Sequence, residues 1–191
     1  MSFKSMVGRI QLRRLKNNME PESVAFPKSL AKPKRILICL PGGLRELTLL
    51  KQFLPEIKEL FKAAEISLLS LPGVRVYDMY PRKGFHILSP TADQMTWSGL
   101  PKKSYTKTLK EFDFDLILDL NLNTTPFTSG VLLNFPAAVR VGRGNHLGEP
   151  YYNLEIKTRY LRDERNIYRS MLRTLSTIKS ATKASQVGKH N

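Results

Sequence analysis

Short continuous runs of apolar residues, separated by stretches with helical spacing, constrain the fold of this 191-residue chain most strongly. The clearest runs are 36–40 and 114–120, and such runs are typical of strands buried on both faces of a parallel sheet. Shorter runs predict further strands at 66–69, 85–88, 138–142 and 152–156. Helical spacing predicts helices at 45–62, 104–112, 125–134 and 159–179. The alternation predicts an α/β fold: a single Rossmann-like three-layer domain with a mainly parallel sheet.

Composition divides the chain into a folded body and two basic terminal extensions. We expect the Rossmann-like domain over 35–156 and a C-terminal helix within 157–179. Residues 1–34 should form a basic amphipathic segment followed by a proline-containing linker, and the polar residues 180–191 a disordered basic tail. Inside the body, Pro55 interrupts the first predicted helix, so it should kink that helix or begin a new one.

The net charge of +15 lies at the two ends of the chain. Residues 1–35 and 157–191 each carry nine Lys or Arg and two acids, a net charge of +7, whereas 36–156 carry +1. Basic ends on a nearly neutral body predict binding to an anionic partner or an anionic membrane surface. A nucleic acid is a less favoured partner, because nucleic-acid-binding domains usually carry a basic face on the folded domain itself.

A candidate amphipathic helix spans 3–19 and contains no acidic residue. One apolar stripe is shared by Phe3, Met6, Val7, Ile10 and Met19. Three interpretations are open: the helix docks on this protein or on a partner, lies in a membrane interface, or is a cleavable targeting peptide. The candidates for contact with an anionic surface are Lys4, Arg9, Arg13, Arg14 and Lys16.

Composition and motifs also exclude several classes of site. The single cysteine, Cys39, excludes a disulfide framework and a cysteine-rich zinc site, and the three scattered histidines argue against a histidine-rich one. No run of 18 apolar residues occurs, so we expect no transmembrane helix. The G-x-G-x-x-G and G-K-[ST] fingerprints are absent, as are Ser-His-Asp and Cys-His spacings. We therefore predict no metal, no cofactor and a cytoplasmic protein, with peripheral attachment at the inner face of the membrane as an alternative.

Residues that follow the predicted strands are the candidates for a site, because ligands of parallel α/β sheets bind beyond the carboxyl ends of the strands. Gly42 and Gly43 follow the first strand and either let backbone N–H groups approach an anion or form a tight turn. Arg45 and Glu46 come next. Glu46 either stabilises the start of the helix or faces the crevice as a general base.

Two later strand ends carry further polar residues. Asp119, Asn121 and Asn123 offer acceptors and donors to a substrate, or act as caps of the strand and the next helix. Arg140 and Arg143 lie among glycines at the end of another strand. They suit a phosphate or carboxylate, or else belong to a solvated loop.

Three segments of the chain form an ordered pattern. They are Arg45-Glu46 with Ala64-Glu65-Ile66, then Phe114 to Asn123, then Pro136 to Gly142. The pattern resembles the N-terminal half of glycosyltransferase family 9, the lipopolysaccharide heptosyltransferases. That family has Gly-Asp in its first loop, an F/Y-D-L-V-I-D-L-x-x-N strand and a G-A-x-x-R-I-G strand. Over 35–176 the chain thus resembles one half of a GT-B glycosyltransferase.

The resemblance implies the acceptor-binding half of an enzyme whose second domain holds most of a nucleotide-sugar. It implies that Glu46 stands where the family has an aspartate that deprotonates the acceptor, and that Arg45 replaces a glycine. Because the chain ends where the second domain would begin, we expect a non-catalytic binding or assembly module with basic arms.

Two enzymatic alternatives stay open. One is a subunit of a split glycosyltransferase that uses Glu46 as the general base. With a second subunit completing the sugar-nucleotide site, it would transfer a sugar to a lipopolysaccharide-type acceptor. The other is a free-standing small enzyme with different chemistry.

Overall fold

Six parallel strands form one sheet in the computed structural model, which describes residues 3–19, 28–144 and 146–187. The strands are β1 Arg35–Cys39, β2 Glu65–Leu69, β3 His86–Leu88, β4 Leu116–Asp119, β5 Val139–Arg143 and β6 Leu154–Ile156. Their order across the sheet is β3-β2-β1-β4-β5-β6, and every neighbouring pair is parallel. This is the strand order of the doubly wound Rossmann fold, so the predicted architecture is confirmed.

Helices cover both faces of the sheet. They are α1 Phe3–Asn17, α2 Lys28–Ala31, α3 Leu44–Lys51, α4 Leu54–Leu60, α5 Lys103–Lys110, α6 Pro126–Leu133 and α7 Glu164–Val187, with a single 3-10 turn at Ala92–Gln94. Ile36 and Ile38 of β1 pack in a core with α3, α4 and α7. Leu37 and Cys39, which point to the other side, pack with α5 and α6. The alternation of strand side chains therefore produces two separate cores.

Two helices replace the single helix predicted at 45–62. Helix α3 ends at Lys51 and α4 begins at Leu54, with Pro55 in the first turn of α4. Proline is tolerated there because the first N–H groups of a helix have no intrahelical partner. Of the two outcomes predicted for Pro55, the structure therefore shows the new first turn.

The C-terminal helix lies further along the chain than predicted. It begins at Glu164, where the preceding Asp163 accepts a hydrogen bond from the backbone N–H of Asn166 at 3.0 Å and so caps the first turn. It continues to Val187, because no glycine or proline interrupts it before Gly188. The prediction of a disordered tail is therefore wrong for 180–187, and 188–191 lie outside the described residues.

Part of the predicted N-terminal linker is also ordered. Residues 28–31 form the short helix α2, which packs against α7, and Leu30 of α2 is buried. The remaining linker residues 20–27 lie outside the described ones. Within the described part of the chain, no helix combines the length and apolar composition that a membrane span requires.

Helix α1 docks on the body of this protein, next to α6, as the first of its three interpretations predicts. Gly8 is buried, and a side chain there would meet the backbone carbonyl of Ser98. The Ser98 hydroxyl donates a 2.6 Å hydrogen bond to Gln11, and Lys16 Nζ donates one of 3.3 Å to the carbonyl of Glu149. The helix is thus held by its small and polar side.

Candidate functional site

The chain reverses its direction of winding between β1 and β4, which opens a crevice at the carboxyl edge of the sheet. Residues 40–43 after β1 form one wall, and residues 120–125 after β4 form the other. Ligands of doubly wound sheets bind at this position. The crevice is therefore the first candidate site, and most residues predicted from the strand ends lie at or near it.

Glu46 joins the two walls. Its Oε1 accepts a hydrogen bond of 3.2 Å from the side-chain amide of Asn123. Its other carboxylate oxygen lies over Gly43, so that a Cβ atom on Gly43 would overlap it. The carboxylate thus lies at the N-terminus of α3, the place a bound anion would otherwise take. The structure brings Glu46, Gly43 and Asn123 together, while the general-base role of Glu46 stays a prediction.

Arg45 points away from the crevice. Its side chain is 85% exposed, and its Nε lies 3.3 Å from a carboxylate oxygen of Glu164. Both side chains line a shallow groove of about 750 Å³ between α3 and the start of α7. Gly42 is exposed, and a side chain there would meet Leu71. Arg45 and Glu46 are therefore neighbours in sequence that serve different surfaces.

Asp119 and Asn121 are buried, which favours the capping role predicted for them over substrate binding. Asp119 Oδ2 accepts a hydrogen bond of 2.6 Å from the Tyr152 hydroxyl. Its Oδ1 accepts bonds from the backbone N–H and the side-chain amide of Asn121, at 3.0 and 3.1 Å. Burial raises the pKa of Asp119, and the bonds from Tyr152 and Asn121 oppose that rise. The carboxyl group of Asp119 therefore holds the end of β4 to Asn121 and Tyr152 by hydrogen bonds within the protein.

Arg140 is also buried, so it does not belong to a solvated loop, and its binding to a phosphate or carboxylate stays a prediction. Its guanidinium is buried and donates hydrogen bonds to backbone carbonyls at distances of 2.6–3.3 Å. The five carbonyls belong to Phe135, Pro136, Ala138, Pro150 and Tyr151. Arg140 therefore ties the segment before β5 to the segment before β6. Sequence reasoning missed this because the carbonyls belong to residues 2–5 and 10–11 positions away.

A second polar group at the same edge was not predicted. His146 Nε2 lies 3.3 Å from the Thr124 hydroxyl, and burial lowers the pKa of His146. Glu155 Oε1 is buried and has no hydrogen-bond partner among the described residues. Arg143, a predicted ligand, is half-buried and donates a 3.2 Å bond to the carbonyl of Leu161. The sequence signal was weak, since His146 occurs singly in a loop and Glu155 singly within the short strand β6.

The predicted surface-binding residues lie on α1, whose start borders the crevice, because Lys4 and Thr125 line the same pocket. All five basic side chains of the helix are exposed: Lys4, Arg9, Arg13, Arg14 and Lys16. The apolar stripe is exposed as well, since Phe3, Met6 and Ile10 are 69%, 47% and 47% accessible. The ring of Phe3 stacks on that of Trp97, which is 57% exposed, with 6.1 Å between the centroids.

Replacement of Asp119 by asparagine tests the buried carboxylate. A raised folded-state pKa means that the group stabilises the fold fully below the unfolded carboxyl pKa of about 3.9 and loses that contribution as pH rises through the folded value. We expect Asp119→Asn to gain stability relative to the native chain as pH rises above about 4, the unfolded carboxyl pKa. Urea unfolding of both proteins across this range measures the difference. A pH-independent difference would contradict the assignment.

Comparison with known sequences places most of the chain in one family. Residues 13–178 match the profile of a family described as a family of unknown function, DUF6913. The match begins within α1 and ends within α7, so it includes the whole sheet. No curated protein matches the chain.

Proposed function

The chain belongs to the DUF6913 family, and we propose that it is a non-catalytic Rossmann-like binding module that attaches to an anionic membrane surface through α1. The observation that carries the proposal is the outward-facing apolar ridge of α1. We define this ridge as Phe3, Met6, Ile10 and the adjoining Trp97.

The ridge is expected to bind a partner, because exposed contiguous apolar surface on a folded domain marks an interaction site. A membrane interface suits it better than a protein groove. Amphipathic helices that lie in the interface carry Phe, Trp or aliphatic residues on one side and Lys or Arg around them. The ridge has this arrangement, since Arg13 and Arg14 follow it by one helical turn and Lys4 lies beside Phe3.

Charge supports the same partner. Helix α1 contains five basic residues and no acid, and the five are exposed. Each Lys or Arg near an anionic leaflet contributes about 1 kcal/mol of attraction. The charges would draw the helix to the lipid, and the ridge would insert at the level of the headgroups. We propose the cytoplasmic face of a membrane as the location.

The crevice supports a non-catalytic role. Asp119, Asn121 and Arg140 form hydrogen bonds within the protein, and the Glu46 carboxylate covers the N-terminus of α3. A catalytic crevice needs polar groups that are directed at a substrate. Here most of the predicted ligands are committed to holding the strand ends together.

Vesicle co-sedimentation tests the proposal. We expect the full chain to bind vesicles in which about a third of the lipid is phosphatidylglycerol, and to bind phosphatidylcholine alone more weakly. The triple variant Phe3→Ser, Met6→Ser, Ile10→Ser should bind at least about tenfold more weakly, because partly exposed apolar side chains each contribute about 1 kcal/mol on insertion. Raising the salt concentration should weaken the binding of the native chain.

The matched control removes exposed apolar side chains elsewhere. Leu44 and Leu161 are also exposed but belong neither to α1 nor to the ridge. Leu44→Ser with Leu161→Ser should leave vesicle binding unchanged. Equal binding by the ridge variant and this control would overturn the proposal, as would equal binding to both kinds of vesicle.

The second candidate function is a subunit of a split glycosyltransferase of the family-9 kind. One observation favours it: the Glu46 carboxylate lies at the crevice and contacts Asn123 of the opposite wall. Calorimetric titration with ADP, UDP and ADP-heptose tests this candidate. Micromolar binding that changes in Glu46→Gln supports it, and no heat with any of the three compounds contradicts it.

A further inference from the structure

A second basic surface lies on the opposite face of the sheet from α1. Helix α7 packs its apolar side into the core shared with α3 and α4, whereas α1 packs beside α6 on the other face. The inward side of α7 consists of Ile167, Tyr168, Met171, Leu172 and Leu175. Because this packing fixes the rotation of the helix, the residues on its outer side are fixed as well.

The outer side of α7 carries a line of arginines. Arg165, Arg169 and Arg173 are exposed and follow one another at four-residue spacing. That spacing repeats about every 6 Å along the helix axis. We call these three residues the arginine ridge. It belongs to the basic segment 157–191, and the packing of α7 makes it a regular feature of the folded domain.

The charge of the ridge is only partly offset within the described residues, by the exposed carboxylate of Asp163, which interacts electrostatically with Arg165 and Arg169. The ion pairs formed by the described side chains involve Arg35, Arg45 and Lys62 and none of the three ridge arginines. Arg165 and Arg169 instead donate hydrogen bonds of 2.9 Å to the neutral amides of Gln52 and Asn166. These bonds orient two guanidinium groups and leave their positive charge available. After Glu164, helix α7 contains no acidic residue.

We propose that the arginine ridge binds the phosphate backbone of a nucleic acid. The absence of apolar surface decides between the classes of anionic partner. The large exposed apolar side chains in the described part of the chain include none on α7. A protein interface has an apolar or aromatic centre, and a membrane-bound helix needs apolar anchors. A phosphate backbone needs neither, since positive charge and guanidinium donors suffice.

The spacing suits the same ligand. The three arginines rise along the helix axis in steps of about 6 Å, so their long side chains can each reach a successive phosphate of an extended strand. The neighbouring exposed side chains of Ser176 and Ser180 carry hydroxyl groups, which can also donate to phosphate oxygens. Contacts of this kind fix the position of the protein and read no base. The ridge should therefore bind RNA and DNA strands of the same sequence with similar affinity.

Fluorescence anisotropy with the full chain tests the proposal. The probes are a fluorescein-labelled single-stranded RNA of about 15 nucleotides, the DNA strand of the same sequence, and the RNA duplex. We expect the native chain to bind, and Arg165→Gln, Arg169→Gln, Arg173→Gln to bind at least about tenfold more weakly. If all three contacts are lost, the plot of log binding constant against log salt concentration should become less steep by about 2, since each phosphate contact on a single strand contributes about 0.7 to the steepness.

The matched control removes the same charge from the other face. Lys103, Lys107 and Lys110 are exposed on α5, so Lys103→Gln, Lys107→Gln, Lys110→Gln changes the net charge equally. This control should keep native affinity for RNA. If both triple variants lose RNA affinity equally, net charge alone explains the binding and the proposal is overturned. The proposal is also overturned if the native chain binds no RNA.

A cross-comparison separates this proposal from the one made for α1. The arginine-ridge variant should keep its binding to anionic vesicles, and the Phe3, Met6, Ile10 variant should keep its binding to RNA. Loss of vesicle binding in the arginine-ridge variant with RNA binding intact would assign the ridge to the membrane and overturn the nucleic-acid proposal. Circular dichroism of each variant confirms that the fold is retained.

Discussion

Replacing Arg140 with alanine is expected to lower the free energy of unfolding by about 2–4 kcal/mol, because five buried or partly buried carbonyls lose a charged donor at once. Two of the five hydrogen bonds are buried and three are partly buried. The carbonyls of Phe135 and Ala138 keep a second donor, so the loss comes mainly from the other three carbonyls. Urea unfolding monitored by the fluorescence of Trp97 and by circular dichroism measures the loss.

Two variants separate the geometry of Arg140 from its charge. Arg140→Lys keeps the charge but replaces a planar fork of five donors with a single ammonium group, so we expect an intermediate loss. Arg143→Ala removes a neighbouring arginine that makes one bond to a backbone carbonyl and should cost about 1 kcal/mol or less. Similar urea midpoints of unfolding for Arg140→Ala and Arg143→Ala would contradict the assignment of Arg140 as the residue that ties the segments before β5 and β6 together.

A comparable loss is expected for Gly142→Ala. A Cβ atom on Gly142 would overlap the aromatic ring of Tyr152, which is buried, so the ring has to move. Overpacking of this kind costs about 1–3 kcal/mol. Movement of the ring also breaks the 2.6 Å bond from the Tyr152 hydroxyl to Asp119, and a hydrogen bond to a charged group contributes about 1.5–3 kcal/mol. We expect a total of about 3 kcal/mol or more in urea unfolding.

Gly73→Ala is the control for the Gly142 prediction. Gly73 has a φ of 80° but nothing within 4 Å of a built Cβ, so only the cost of its left-handed backbone applies, about 1–2 kcal/mol. A double variant gives a second check. In a Tyr152→Ala background, Gly142→Ala should cost little, because the ring it would overlap is gone. Additive losses in the double variant would show that crowding against Tyr152 is not the cause.

Three of the residues on which the resemblance to glycosyltransferase family 9 depends have structural roles in this chain. Asp119 accepts from Tyr152, Arg140 clamps the carbonyls before β5 and β6, and Gly142 makes room for the Tyr152 ring. All three support one buried junction behind β4, β5 and β6. The strand motifs therefore give no separate support for catalysis here, and the enzymatic alternative depends on Glu46 alone.

Much of the architecture was predictable because it depends on local sequence. Continuous apolar runs mark strands that are covered on both sides, and the helical stretches between them require parallel crossovers. Pro55 marked a helix break for the same reason, since its effect is confined to its own turn. The end of α7 is not predictable in this way, because small polar residues are typical of disordered tails, whereas here the uninterrupted helix extends to Val187.

The candidate site was predicted less well, and its residues show why. Position along the chain placed Glu46, Asp119 and Arg140 at strand ends, where a parallel sheet binds its ligands. Their burial depends on segments that come from elsewhere in the chain. Tyr152 covers Asp119 from 33 residues away, and the carbonyls of Pro150 and Tyr151 reach Arg140.

Local sequence thus decides which segments become strands and helices and how much charge each helix carries, because propensity, periodicity and charge are properties of neighbouring residues. The orientation of those charges is decided by tertiary packing. Helix α1 docks by Gly8 and turns its apolar ridge outward, and α7 buries Ile167 and Met171 and turns its arginines outward. Which polar group meets solvent and which is buried follows from long-range contacts, whose partners have no fixed spacing along the chain.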